Sequence, residues 1–321
     1  MPSKNPSVLV AFDLAQEIVE CLQDEFVDLS FHVAAKPQEL VPQLEAVRPE
    51  VVFSIKGERF PATAHKAIMS FPSVRWVQVG GSGYEHLTPW DGNRLVVTNC
   101  SGVLSRFLAE NVIGAMLALN ANFLTYVQQQ KKREWSPHEF RPLADQTLLI
   151  VGLGHIGRCV AERAKALGMR VIGVRRTQES HSSVDVVVGP KALSDVIAEA
   201  DVVSLHLRMS YETQQLFDAA MFARMRRGAL FLNTARGGVV VEEALIKALE
   251  SGHLRGAYLD VFDKEPLPGS SPLWEMQNVL LTPHCGDNIS GWYRKFTEFF
   301  AENLRRWVAG KPLQNVVTTL S

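Results

Sequence analysis

Three side chains in the last third of the chain have the residue types that anion binding and proton transfer require. Arg236, in Asn233-Thr234-Ala235-Arg236-Gly237-Gly238, offers a planar fork for a carboxylate and a fixed positive charge for a polarised carbonyl. His284, in Leu281-Thr282-Pro283-His284, can give or take a proton near neutral pH. Glu265, in Asp263-Lys264-Glu265-Pro266, can orient such a ring and favour its protonated form. Taken singly, each has a plain alternative: a surface charge, a solvated loop acid, a satisfied core histidine. Taken together they differ, because each follows a run that reads as a strand (residues 229–233, 256–261 and 279–282). Ligands of open parallel sheets lie beyond such strand ends.

The stretch that must position them lies upstream: Leu148-Leu149-Ile150-Val151-Gly152-Leu153-Gly154-His155-Ile156-Gly157-Arg158. The apolar run predicts a buried strand. Gly152 then allows a turn that a Cβ obstructs, Gly154 lets backbone N–H groups approach a pyrophosphate, and Gly157 lets the next helix press on the strand. A helix over 159–167 and a strand over 170–174 complete a βαβ unit with its phosphate site at the helix N-terminus. The plain alternative is a structural strand-turn-helix. In a unit built for NAD, an acidic side chain about 20 residues past the glycines takes the adenosine ribose. Here Val174 is followed by Arg175, Arg176 and Thr177, and no carboxylate comes before Glu179. Two guanidiniums and a hydroxyl suit a 2′-phosphate, so NADP(H) is the expected cofactor, in preference to NAD(H).

The chain of 321 residues has room for two cores. Its 33 Lys and Arg against 34 Asp and Glu give no broad basic field, which argues against a nucleic-acid partner. Four scattered cysteines suggest neither a disulfide framework nor a zinc site, and no His-x-x-x-His-type spacing points to another metal. No apolar run is long enough to span a bilayer, and a cytoplasmic location is expected.

Residues 8–98 alternate short β-rich runs with amphipathic stretches, which predicts a second parallel α/β unit without a phosphate loop of its own. Its most informative turn is Gly80-Gly81-Ser82-Gly83, where backbone N–H groups after a strand can meet an anion; a tight turn without ligand is the alternative. A long helix over 105–130, apolar around much of its circumference, is expected to link the units and to face more than one surface, a subunit interface among them. Aromatic residues at helical spacing over 290–308 read as packing.

These motifs, with Asp201-Val202-Val203-Ser204-Leu205-His206-Leu207 and Leu259-Asp260-Val261-Phe262, resemble the D-isomer-specific 2-hydroxyacid dehydrogenase family over nearly the full length, with its glyoxylate/hydroxypyruvate reductases as the nearest kind. The resemblance implies a Rossmann-type doubly wound domain over 102–285 and a flavodoxin-like α/β substrate domain made from 1–101 and 286–321. It also implies a homodimer with the active site in the interdomain cleft, reducing a small 2-oxo acid to a D-2-hydroxy acid. By resemblance Arg236 anchors the substrate carboxylate, His284 is the proton donor and Glu265 its partner. Ser82 and Gly83 offer N–H groups to the carboxylate. Gly152, Gly154, His155, Ile156, Gly157, Arg175, Arg176, Thr177, His206, Thr234, Ala235 and Asp260 line the cofactor. Trp135 is similar in place to a tryptophan that reaches the partner's site in some relatives. Two residues depart from the family pattern: Arg208 replaces a proline, and Asp287 replaces a small residue where a carboxylate would repel a second anionic group on the substrate. Cys285 beside His284 is not expected to act as a nucleophile, since neighbours at a strand end point apart. Relatives that act as dinucleotide-sensing corepressors supply the alternative, a binding protein with little turnover.

Overall fold

A computed structural model describes residues 5–57, 59–177 and 179–318. The chain divides into two compact units, Met1–Leu104 with Ile289–Ser321, and Ser105–Asn288.

In the first unit, β1 (Ser7–Ala11), β2 (Ser30–Ala34), β3 (Val51–Ile55), β4 (Trp76–Gly80) and β5 (Val96–Asn99) form a parallel sheet in the order β2-β1-β3-β4-β5. This is the flavodoxin-like order. The helix Ala15–Gln23 follows β1 and buries Ala15, Ile18, Val19 and Leu22, the spacing of one helical face. The helix Trp292–Val308 buries Phe296, Phe300 and Trp307, and the Phe300 ring stacks on Phe53 of β3 at 4.5 Å, so these aromatics are core, as their spacing suggests. One element went unforeseen: Val316–Val317 pairs antiparallel with β5 and closes that edge of an otherwise parallel sheet.

The second unit holds β6 (Thr147–Val151), β7 (Arg170–Val174), β8 (Val186–Val188), β9 (Val202–Leu205), β10 (Ala229–Asn233), β11 (Leu254–Leu259) and β12 (Val279–Leu281). All are parallel, in the order β8-β7-β6-β9-β10-β11-β12. The direction of winding reverses between β6 and β9, the switch point at which such sheets take ligands. Alternate residues of β6 serve opposite faces. Leu148 and Ile150 join the core with Val112, Met116 and Val160, while Leu149 and Val151 join Val203 and Phe231.

The expected single helix over 105–130 is two. Ser105–Asn120 ends in a turn with Asn122 in the left-handed region (φ 60°), and Phe123–Lys132 leaves at 58° to it. Asn tolerates that conformation, which stops a helix whose apolar pattern runs on without a break. The first helix is packed in the core, whereas the second buries none of its residues. Elsewhere in this unit the helix Leu193–Val196 tightens into a 3-10 turn, Ile197–Glu199.

Candidate active site

Each glycine of the loop after β6 answers to a different constraint. Gly152 has φ 104°, and a Cβ there would stand 2.5 Å from the carbonyl oxygen of His206. At Gly157 a Cβ would lie 2.3 Å from the carbonyl oxygen of Gly152. At Gly154 it would meet no protein atom within 4 Å, so the protein leaves that space open. Gly154 is also the N-cap of the helix His155–Ala166 and has no side chain to cap it. The first intrahelical bond there runs from Arg158 N–H to Gly154 O, at 3.0 Å. The N–H groups of His155, Ile156 and Gly157 are therefore unspent by helix geometry, the arrangement that takes an anion at a helix N-terminus. The residues fit a dinucleotide pyrophosphate.

His206, at the end of β9, is wedged between Ser204 Oγ (2.9 Å from Nε2) and Thr234 Oγ1 (3.2 Å from Nδ1). Burial holds its pKa down to about 3, so the ring is neutral and only one of the two contacts can use a ring proton. Beyond β10, the buried amide of Asn233 folds the next turn onto itself: Oδ1 accepts from Ala235 N–H at 3.0 Å and Nδ2 donates to Arg236 O at 3.3 Å. Thr234 and Ala235 are buried. Arg236 Nη1 donates to Ala235 O at 2.8 Å, which directs the guanidinium while leaving its other donors for a ligand.

His284 sits on the turn after β12 with φ 51°, a conformation that costs a bulky residue about 1–3 kcal/mol and persists only where its surroundings enforce it. The enforcement is visible. Asp260, buried at the end of β11, accepts from Thr282 Oγ1 (2.5 Å) and Cys285 N–H (2.9 Å) on Oδ1, and from Gly286 N–H (3.1 Å) on Oδ2. Thr282 Oγ1 also lies 3.1 Å from Tyr258 OH, which donates to Asn111 Oδ1 at 2.9 Å, and Asn111 Nδ2 donates to Gly286 O at 3.3 Å. Burial pushes the Tyr258 hydroxyl up to about 12, so it remains a donor. In this frame His284 Nδ1 lies 2.8 Å from Glu265 Oε2, and Glu265 Oε1 accepts from Phe262 N–H at 3.1 Å. Glu265 and His284 also border a pocket of about 580 Å³, walled further by Thr282 and by apolar residues such as Phe262, Leu267, Trp274 and Leu281.

The Asp287 carboxyl is held above its usual range, first by desolvation and then by Asp260, with His284 and Arg236 pulling the other way. Burial, with the charges of Asp260 and Asp287, also raises the Cys285 thiol, which disfavours the thiolate a nucleophile needs. Past β7, Arg175 is largely buried and Nη2 lies 3.4 Å from Glu179 Oε2, while Arg176 and Thr177 are exposed. Arg208 is exposed in the loop after His206, and Trp135 is wholly exposed. In the first unit, Gly81 O accepts from Cys100 N–H at 2.7 Å and Ser82 O from Asn99 Nδ2 at 2.8 Å. Among the described residues the N–H groups of Ser82 and Gly83 have no partner, as an anion-binding turn requires.

Asn111, Asn233, Tyr258 and Thr282 are positioning residues that motif reading passed over. Asn111 left one signal, a polar residue on a helix whose neighbours Leu108 and Val112 are core.

A parallel sheet with a phosphate loop at its switch point, an arginine after β10 and a histidine after β12 paired with a glutamate after β11, defines a nicotinamide-dependent oxidoreductase. Residues 113–286 match the model of the D-isomer specific 2-hydroxyacid dehydrogenase NAD binding domain. A glyoxylate reductase of Korarchaeum cryptofilum is 34% identical over 254 residues, 77% of this chain and 76% of that one. A D-isomer specific 2-hydroxyacid dehydrogenase family protein from Aeromonas salmonicida superposes with a TM-score of 0.86 at 29% identity, covering 98% of this chain and 99% of the other. The NADPH-dependent glyoxylate/hydroxypyruvate reductase of Sinorhizobium meliloti, in complex with NADP and sulfate, gives 0.81 at 27% identity, covering 98% of each. The chain belongs to the D-isomer specific 2-hydroxyacid dehydrogenase family. It is an oxidoreductase acting on a CH–OH group.

Proposed function

We propose that the chain reduces a small 2-oxo acid, of the glyoxylate and hydroxypyruvate class, to its D-2-hydroxy acid, with NADPH as the preferred hydride donor. The observation that carries the reading is the His284–Glu265 pair, 2.8 Å apart on a turn held in a costly backbone conformation. The nicotinamide, when bound, supplies the hydride to C2. Negative charge then develops on the carbonyl oxygen, where the guanidinium of Arg236 stabilises it and His284 delivers the proton that completes the hydroxyl. Glu265 holds the ring through Nδ1 and balances its charge, leaving Nε2 for the substrate. Arg236 also takes the substrate carboxylate, and the unpartnered N–H groups of Ser82 and Gly83 suit an anion in their own right. On this reading the unit with Ser82 and Gly83 is the substrate-side domain.

The NADPH preference is supported by Arg175, Arg176 and Thr177 at the end of β7, and by the NADP bound to the Sinorhizobium meliloti relative. A homodimer belongs to the same reading, supported by apolar side chains left exposed on one segment: Phe123, Val127, Trp135 and Phe140.

A panel of 2-oxo acids, followed at the nicotinamide absorbance with NADPH and with NADH, tests the proposal. Glyoxylate or hydroxypyruvate with NADPH is expected to give the highest kcat/KM. Tight dinucleotide binding with no turnover of any 2-oxo acid would instead favour a sensing protein.

A further inference from the structure

The ion pair after β7 joins two unequal partners. The Arg175 side chain is 18% exposed and the Glu179 side chain 74% exposed, with 3.4 Å between Nη2 and Oε2. That separation is longer than the roughly 2.7–2.9 Å of a well-formed charged hydrogen bond, so the arginine is anchored and the glutamate is held loosely from the solvent side. Arg176, exposed beside it, makes no ion pair among the described residues. Resting on the NADPH reading above, we propose that Glu179 is a displaceable counter-ion that occupies Arg175 until a 2′-phosphate arrives, and so sets how far the chain discriminates between the two dinucleotides.

The chemistry follows from charge. A phosphate monoester carries nearly two negative charges at neutral pH and offers three strong acceptor oxygens. It competes with one carboxylate for the same guanidinium, and Glu179 must swing into water for Arg175 to close on it. Arg176 and Thr177 need no such release and make the first contact. The ribose hydroxyl of NAD carries no charge, so it leaves the Arg175–Glu179 pair in place and gains nothing from opening it. Glu179 thereby weakens the binding of one cofactor only. Because the pair is exposed on one side, its removal is worth a factor of about three to five at low ionic strength, and the factor shrinks as salt screens both attractions.

The test is calorimetric titration of the full chain and of Glu179→Gln with NADP+, NAD+, 2′,5′-ADP and 5′-AMP at low and high salt. Glu179→Gln is expected to tighten NADP+ and 2′,5′-ADP by about three- to fivefold at low salt, and to leave NAD+ and 5′-AMP unchanged. Unchanged or weaker binding of both 2′-phosphorylated ligands overturns the counter-ion role. The two readings fail separately. Wild type binding NADP+ no better than NAD+ removes the NADPH preference, whereas preference in wild type with no gain in the variant removes only Glu179.

Discussion

Gly237 and Phe262 touch backbone to backbone: a Cβ on Gly237 would stand 1.8 Å from the Phe262 carbonyl oxygen. The turn after Arg236 therefore presses on the loop that leads to Glu265, and the two loops are set against each other without a side chain between them. Gly237→Ala must part the loops. Turnover is expected to fall on the order of a hundredfold, the effect of about 1 Å of misplacement, with NADPH affinity within a few-fold of wild type. Gly238→Ala is the control, since its Cβ would meet only the mobile end of Met209. Equal losses in the two variants would refute the contact's importance.

Glu265 accepts from Phe262 N–H with one oxygen and faces His284 Nδ1 with the other. Glu265→Gln keeps the shape and removes the charge that faces the ring. Turnover is expected to fall about tenfold in this variant, for one charged hydrogen bond weakened, and His284→Ala to lose about 10²- to 10⁴-fold in kcat. Wild-type turnover in Glu265→Gln would remove Glu265 from the reaction.

Removing both guanidiniums, with Arg175→Ala and Arg176→Ala together, is expected to weaken NADPH by on the order of a hundredfold, at roughly 1.5 kcal/mol or more for each charged hydrogen bond lost. NADH kinetics should stay nearly level. KM measured for both cofactors across a salt series decides the matter, and a parallel loss for NADH would mean the arginines support the fold of the loop instead.

His65 is almost wholly buried, and its two ring nitrogens have no hydrogen-bond partner. Burial first, then the charges of His86 and Lys56, lowers its pKa from 6.5 to about 4. The unfolded chain takes up a proton below 6.5 that the folded one refuses until about 4, so the proton-linked cost is absent at higher pH and grows as pH falls through that window. The loss between pH 6.5 and 5 is about 2 kcal/mol at most. Thermal melts at the two pH values should differ less in His65→Phe than in wild type, and an identical difference would acquit His65.

Much of this was legible because it is local. Apolar runs, the three glycines and the three polar residues at strand ends are each written within a dozen residues. The break at Asn122 was not, since Leu119, Leu124 and Val127 keep one apolar pattern across it and a pattern reports a face, not continuity. Val316–Val317 is too short to carry periodicity and exists only because β5 offers an open edge. The frame around His284 was invisible for a different reason. Asn111 meets Tyr258 across 147 residues and Gly286 across 175, and no spacing rule links positions so far apart.

Those two bonds from Asn111 also govern the order in which the protein becomes competent. The turn bearing His284 is fastened to a helix that the ribosome releases long before it, and loop closure over such separations comes late because its entropy must be met before the contacts repay it. That turn is thus expected to settle among the last parts of its unit, with turnover as the readout of finished folding. During refolding, turnover should return after the helical signal, and Asn111→Ala should widen that lag; simultaneous recovery in both proteins would contradict it.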